Sequence, residues 1–227
     1  MNLPELADVC GTDKGAHQGF MPWYERYLPG PDKLVVMVEL GVYKGESMLM
    51  WRNYFRHDLS WIVGVDIDLS NIEVGTVIPI GPKVWLDLGD HRGVWLHEGD
   101  QVASAETFGS FGFDLVVDDA SHISSKTIAS FDAWWPLVKP GGLYVVEDTH
   151  CSYDVDYYGM ASAAEPERDC YLSGLGASRP KTTMAFLKRL ADDVNWNIHG
   201  YDRFQPLYTD IAFVHFYPGI CFIGKKS

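Results

Sequence analysis

The sequence has no Cys-x-x-Cys pair. Its four cysteines, Cys10, Cys151, Cys170 and Cys221, are scattered along the chain. That spacing excludes a zinc knuckle or a thioredoxin-like redox motif and leaves free thiols as the expectation. Positive charge is scarce as well. Only 18 Lys and Arg stand against 31 Asp and Glu, a net charge of -13. No basic run interrupts that balance, so a phosphate backbone is repelled and no nucleic-acid partner is expected. No apolar stretch approaches the ~18 residues that cross a bilayer, which excludes a membrane partner of the spanning kind. The start, Met1-Asn2-Leu3-Pro4-Glu5, has neither the basic region nor the apolar core of an export signal, so a cytoplasmic setting is expected.

What is present reads as one α/β domain over residues 1–227. Residues 1–30 form an N-terminal cap or lid that ends in the turn Leu28-Pro29-Gly30-Pro31. Apolar, β-branched runs at 34–40, 61–66, 93–97, 113–117 and 143–146 predict buried strands. Helices are predicted at 46–56, 124–138 and 181–195, the second stopped by Lys139-Pro140-Gly141-Gly142. Residues 68–92 show little pattern and read as a loop. Residues 149–178 read as a lid or interface insertion. Two final strands, 210–216 and 219–224, are joined by Tyr217-Pro218-Gly219 as a hairpin. Strands that alternate with helices imply a mainly parallel, seven-stranded sheet with helices on both faces and an antiparallel hairpin at the end. The Trp134-Trp135 pair is expected in the core.

In such a sheet, ligands bind beyond the carboxyl ends of the strands. Here those ends are acidic. They read Glu39-Leu40-Gly41, Asp66-Ile67-Asp68, Gly99-Asp100-Gln101, Asp118-Asp119-Ala120-Ser121-His122 and Glu147-Asp148-Thr149-His150. The first turn, Gly41-Val42-Tyr43-Lys44-Gly45-Glu46-Ser47, lacks the G-x-G-x-x-G of a dinucleotide fold and the Gly-Lys-Ser/Thr of a P-loop. Paired with Asp66 at the end of the second strand, it suits a cofactor with a ribose and no phosphate. Carboxylates that meet at one rim repel one another unless a cation neutralises them, and oxygen ligands favour a hard ion. His122 follows Asp119 by three residues. Imidazole is the side chain whose ordinary pKa suits a general base.

The turn Glu39-Leu40-Gly41-Val42-Tyr43-Lys44-Gly45-Glu46-Ser47 resembles motif I of the class I S-adenosylmethionine (SAM)-dependent methyltransferases. The stretch from Asp118 to Asp148, together with Gly11-Thr12-Asp13-Lys14-Gly15, resembles the sugar O-methyltransferases that tailor macrolide glycosides. A more distant similarity to catechol O-methyltransferase covers the cofactor residues. The resemblance spans residues 10–155 well and the last 70 poorly. It implies a Rossmann-like fold, SAM as methyl donor and Mg2+ or Mn2+ as metal. SAM would be held by Glu39, Gly41, Tyr43, Ser47, Asp66, Ile67, Asp100, Gln101 and Asp118. The metal ligands it implies are Asp119, Glu147 and Asp148, with His122 as base and His150 in reserve. Asp118 is equally well a helix cap, and His17 is open between the pocket and the surface.

The expected activity is metal-dependent methyl transfer to a sugar hydroxyl of a glycoside or oligosaccharide, by a dimer or larger homo-oligomer. Three rivals remain: a catechol-type phenolic acceptor, an NAD-type oxidoreductase, and a non-catalytic SAM- or sugar-binding module. Tyr153, Tyr157 and Tyr158 are candidates either for stacking on a sugar or for a dimer contact.

Overall fold

Strand β1 (Val36–Leu40) carries an unbroken apolar run, and both of its faces are covered, as such a run requires. Met37 joins one core cluster with Leu3, Met48, Trp51, Leu115 and Phe222. Val38 and Leu40 join another with Val116, Phe131, Trp134, Tyr144 and Leu187. The period of two along the strand thus sorts its side chains between two helical layers.

The chain is seen as a computed structural model that describes residues 1–80, 83–89, 93–153, 182–196 and 205–227. The remaining strands are β2 (Trp61–Asp66), β3 (Thr76–Ile80), β4 (Lys83–Asp87), β5 (Val94–Glu98), β6 (Phe113–Asp118), β7 (Val138–Val146), β8 (Ile211–Tyr217) and β9 (Ile220–Lys225). They form one nine-stranded sheet in the order β3-β4-β5-β2-β1-β6-β7-β9-β8. The pairs β1–β2, β1–β6, β2–β5 and β6–β7 are parallel. Both margins are antiparallel. Helices α1 (Leu3–Cys10), α2 (Met21–Tyr24) and α3 (Glu46–Tyr54) lie on one face. Helices α4 (Ser104–Thr107), α5 (Ser124–Trp134) and α6 (Thr183–Asn195) lie on the other. This is the Rossmann-like methyltransferase architecture expected, widened by two strands. No helix among the described residues is long and apolar enough to cross a membrane.

Several elements differ from the sequence reading, among them the short helices α2 and α4, which it does not anticipate. The hairpin β3–β4 lies where a loop is predicted. All five residues of β3 are exposed and Pro79 sits among them, so no apolar alternation marks the strand. Proline is tolerated there because β3 is the sheet edge, where its missing N–H costs no ladder bond. Strand β7 begins at Val138 and runs through Lys139-Pro140-Gly141-Gly142, read from sequence as a stop. A register shift opposite Phe113 and Leu115 absorbs the irregularity. Helix α1 is not anticipated, although Asn2 and Glu5 cap it reciprocally at 2.8 and 3.1 Å. Of the expected 149–178 insertion, only residues 149–153 are described, as a short 3-10 turn. Tyr157, Tyr158 and Cys170 lie outside the described residues. Tyr153 is about half exposed. Trp134 and Trp135 are buried, as expected.

The register levels the strand ends. Leu40 pairs with Val65 on one side and Asp118 on the other, and Asp118 pairs with Val146. Gly41, Asp66, Asp119 and Glu147 therefore each sit one step beyond the same line. Gly41 has φ +88, and a Cβ there would lie 2.2 Å from the Asp119 carbonyl oxygen. Only glycine permits both that conformation and that approach. Gly41→Ala is expected to destabilise the fold by about 1–3 kcal/mol. Chemical denaturation measures this, and wild-type stability in the variant would remove the close-approach account.

Candidate active site

A cavity of about 1030 Å³ opens over the carboxyl ends of the central strands. One wall is the turn after β1, with Gly41, Val42, Tyr43 and Ser47, beside Asp66. A second is Asp119, Ala120, His122, Asp148 and His150. The N-terminal segment supplies a third through Thr12, Asp13, Lys14, His17, Gln18 and Phe20. A smaller cavity of about 170 Å³ adjoins it, shares Gly41, Asp66 and Ala120, and is lined further by Ile67, Asp100, Gln101 and Lys126. Tyr43, His122 and Asp148 are the non-glycine residues with left-handed backbone among the described residues, at φ 46, 55 and 51. All three line the larger cavity. Strain of this kind persists where surrounding structure over-determines it, and it clusters at functional sites.

From the cavity wall inward, a cluster of acids surrounds one buried cation. The Lys14 ammonium, 1% exposed, contacts Asp119 and lies 2.6 Å from Glu147 Oε2 and 3.7 Å from Glu39 Oε1. Burial alone would lower its pKa, but the charges of Asp119, Glu147 and Glu39 reverse this and hold it well above the ordinary lysine value. The Tyr24 hydroxyl donates to Glu147 Oε1. Glu39 accepts from Ser47 Oγ at 2.6 Å and from the Trp51 indole. Burial pushes the Glu39 and Glu147 carboxyls up, against the pull of Lys14. One ammonium thus serves several carboxylates, and the cluster remains short of positive charge.

Next to it, Asp119, His122 and Asp148 each offer a ligand atom, all within 4.8 Å of one another. His122 Nε2 lies 3.4 Å from Asp148 Oδ2. Asp148 Oδ1 is buried and has no hydrogen-bond partner among the described residues. Burial raises the Asp148 carboxyl pKa, partly offset by His122. Two carboxylates, one with an oxygen that accepts no hydrogen bond among the described residues, together with an imidazole nitrogen, fit a divalent cation.

Asp66 is largely engaged by the turn itself. Its Oδ2 accepts from the Val42 and Tyr43 amides at 2.8 and 2.9 Å, and its Oδ1 from the Asp68 amide at 3.0 Å. A carboxylate has about four lone-pair sites, so one remains on the cavity side. Asp100 Oδ1 caps the next turn through the Val102 and Ala103 amides at 2.9 and 3.2 Å, bonds that lower its pKa. Gln101 is held by Ser130 at 2.9 Å. Ile67 is exposed at the rim of the smaller cavity.

A family model described as a methyltransferase domain matches residues 38–149. Over residues 38–149 the chain carries a methyltransferase domain of that family. Its relatives include the 8-demethyl-8-alpha-L-rhamnosyl tetracenomycin-C 2'-O-methyltransferase of Streptomyces olivaceus, 29% identical over all of this chain and 56% of the relative. The mycinamicin VI 2''-O-methyltransferase of Micromonospora griseorubida is 30% identical over 99% of this chain and 52% of its own length. The structure of the methyltransferase MycE from the mycinamycin biosynthetic pathway, in complex with Mg, SAH and mycinamycin VI, superposes with a TM-score of 0.71. It shares 30% identity, and the match covers 100% of this chain and 54% of that one. The chain thus spans about half the length of these relatives.

Three of the expected site residues are placed differently by the fold. Glu39, expected at the cofactor, lines neither cavity and instead braces Ser47 and Trp51 from behind the turn. Glu147, expected as a metal ligand, faces Lys14 and Tyr24 and lines neither cavity; His122 takes its place in the metal-competent group. Asp118, expected as a cofactor contact or a helix cap, is buried beside Tyr144, whose hydroxyl donates to it at 3.1 Å. The strand alternation explains this: Asp119 points to the rim, so Asp118 points into the layer beneath. His17 lines the cavity and is exposed, so both of its readings hold. Lys14 and Tyr24 were missed. The Gly-Thr-Asp-Lys-Gly stretch flagged Lys14, but nothing in local pattern marks a lysine as buried.

Burial lifts the Asp118 carboxyl to about 7, against the Tyr144 hydrogen bond. The folded state therefore binds this proton more tightly than the unfolded chain does. The associated stability is present below the ordinary carboxyl range and is lost as pH rises from about 4 to about 7. Asp118→Asn removes that loss. Relative to wild type, the variant is expected to gain stability progressively across this window, by a few kcal/mol at most. Melting temperatures at pH 5 and pH 8 measure it, and an equal offset at both would sink the account.

Proposed function

We propose that this domain is a metal-dependent O-methyltransferase that moves a methyl group from SAM to a sugar hydroxyl of a glycoside or oligosaccharide. The observation that carries the reading is the single cavity in which the glycine turn and Asp66 face the group Asp119, His122 and Asp148. Its volume of about 1030 Å³ admits a cofactor and an acceptor together. The lining by Thr12, Asp13, His17, Gln18 and His150 is hydroxyl-seeking, which favours a sugar over a flat phenolic acceptor. The names of the relatives support the same acceptor class, and MycE with Mg and SAH supports the cofactor pair. The reading includes a cytoplasmic protein assembled as a dimer or larger oligomer, both expected from sequence.

When bound, SAM supplies a sulfonium-activated methyl group, and a divalent cation lowers the pKa of a hydroxyl it holds. The residues of the chain do the rest. Asp66 offers its remaining lone pair to a ribose hydroxyl, while the turn at Gly41 lets the cofactor approach the backbone. Ile67, Asp100 and Gln101 border the adjoining smaller cavity and close over the base end. Asp119 and Asp148 hold the cation with carboxylate oxygens. His122 takes the acceptor proton on its imidazole, and Asp148, 3.4 Å from Nε2, stabilises the imidazolium that results. Positioning the two reactants in one cavity supplies much of the acceleration. A second reading makes His122 the third metal ligand, because its ring falls within the same 4.8 Å group.

Three measurements test these roles. SAM or SAH is expected to bind at micromolar strength by calorimetry, about -8 kcal/mol, and Asp66→Ala to weaken binding by about 1 kcal/mol or more. Tight NADH binding in place of SAM would overturn the assignment. Turnover on glycoside acceptors is expected to vanish in chelator and return with Mg2+ or Mn2+; full activity in excess chelator would remove the metal. His122→Ala is expected to lower kcat about 10²–10⁴-fold with metal and SAM affinity unchanged. A fall in metal affinity instead identifies His122 as a ligand, and unchanged kcat transfers the base role to His150.

A further inference from the structure

Lys14 is an almost fully buried cation in the N-terminal wall of the cavity, and the proposed chemistry leaves it without a task. It belongs to the N-terminal segment, far in sequence from the strand ends it touches. Asp119 is at once its partner and a member of the metal-competent group. Glu147, the remaining acid at that level of the sheet, gives one oxygen to Lys14 at 2.6 Å and the other to Tyr24. Asp148, one residue on, keeps an oxygen that accepts no hydrogen bond among the described residues, with His150 Nδ1 3.7 Å away. The carboxylates at this rim thus divide between one resident ammonium and one open position. An ammonium and a divalent cation are alternative countercharges for the same lone pairs, and two cations at contact distance around one carboxylate repel.

We infer that Lys14 is a resident counter-ion that competes with the divalent metal for Asp119, while keeping Glu147 paired, and so sets the metal affinity of the site. The inference rests on the metal-dependent reading above. With no metal bound, Lys14 keeps Asp119 and Glu147 paired, so the rim does not spread under its own charge. When metal binds, the hold of Lys14 on Asp119 weakens. Lys14 sits on a loop bounded by Gly11 and Gly19, both at positive φ, and the same loop carries Thr12, Asp13 and His17 into the cavity. Metal occupancy and the position of this wall are therefore linked through one side chain. Lys14 is a positioning residue, since it acts through the carboxylates it touches.

The test is a titration of the full chain with Mg2+ or Mn2+ alone, without SAM or acceptor, followed by calorimetry. Lys14→Met is expected to bind metal about tenfold more tightly than wild type or better, because a positive charge a few ångströms from the ligands has gone. Lys14→Arg keeps the charge and is expected to bind no more tightly than wild type. In chelator the melting temperature of Lys14→Met is expected to fall below wild type, and metal is expected to restore it. Should Lys14→Met be unfolded in chelator, circular dichroism follows the same titration. Recovery of the folded spectrum at micromolar metal supports the role, and failure to recover up to millimolar metal overturns it. Folded Lys14→Met that binds metal as wild type does, or more weakly, overturns the role of Lys14 alone. Wild-type protein that binds no metal overturns both this role and the metal-dependent reading.

Discussion

The structure turns on one buried ammonium. Lys14 reaches from the N-terminal segment into a rim where the ends of β1, β6 and β7 present Glu39, Asp119 and Glu147. Burying Glu39 and Glu147 beside the half-buried Asp119 is prohibitively unfavourable without a partner, and burying a lysine alone is no better. Each is tolerated because the other is there. The same contact ties the first twenty residues to the sheet, and with them the polar wall of the cavity. Tyr24 reinforces it through Glu147, and its ring packs edge-on against Trp51 and Phe222 in the core, so the polar cluster is locked into an aromatic layer.

The rim is rigid for a second reason. Parallel register brings the ends of the strands to one level, and glycine at position 41 lets the backbone after β1 lie against that after β6. Tyr43, His122 and Asp148 then hold left-handed conformations that isolated residues avoid. The sheet supplies the stability that this strain consumes. The result is a set of groups aimed into the cavity before any ligand arrives, which is the condition for effective positioning. The negative charge left over after Lys14 is counted, and the oxygen of Asp148 that accepts no hydrogen bond among the described residues, make the same rim receptive to a cation.

Much of this was legible in the sequence, because the signals involved are local. The buried strands announce themselves as apolar β-branched runs, and five of them end in acids. Alternation with helices specifies a largely parallel sheet, and that topology alone places the acids together. The motif residues of the first turn, with Asp66, Asp100 and Gln101, line or adjoin cavities at the carboxyl edge. The hairpin β3–β4 was not legible, because an exposed edge strand containing Pro79 carries neither alternation nor a buried run. Helix α1 was marked only by a capping pair, too short a signal to stand out beside a mixed aromatic segment.

The sequence by itself determined which residue types reach the rim: strand periodicity and strand length are local properties, and they count residues to the carboxyl end. Only the tertiary structure decided which acids face the cavity and which are spoken for. Asp118 and Asp119 are neighbours in the chain, yet alternation sends one against Tyr144 and the other to the rim. Glu147 and Asp148 are neighbours too, yet Lys14 and Tyr24 claim the first and leave an oxygen of the second open. Those choices depend on a lysine 133 residues away in the chain. The energy of an ion pair depends on distance and burial in space, and neither can be read from position along the chain.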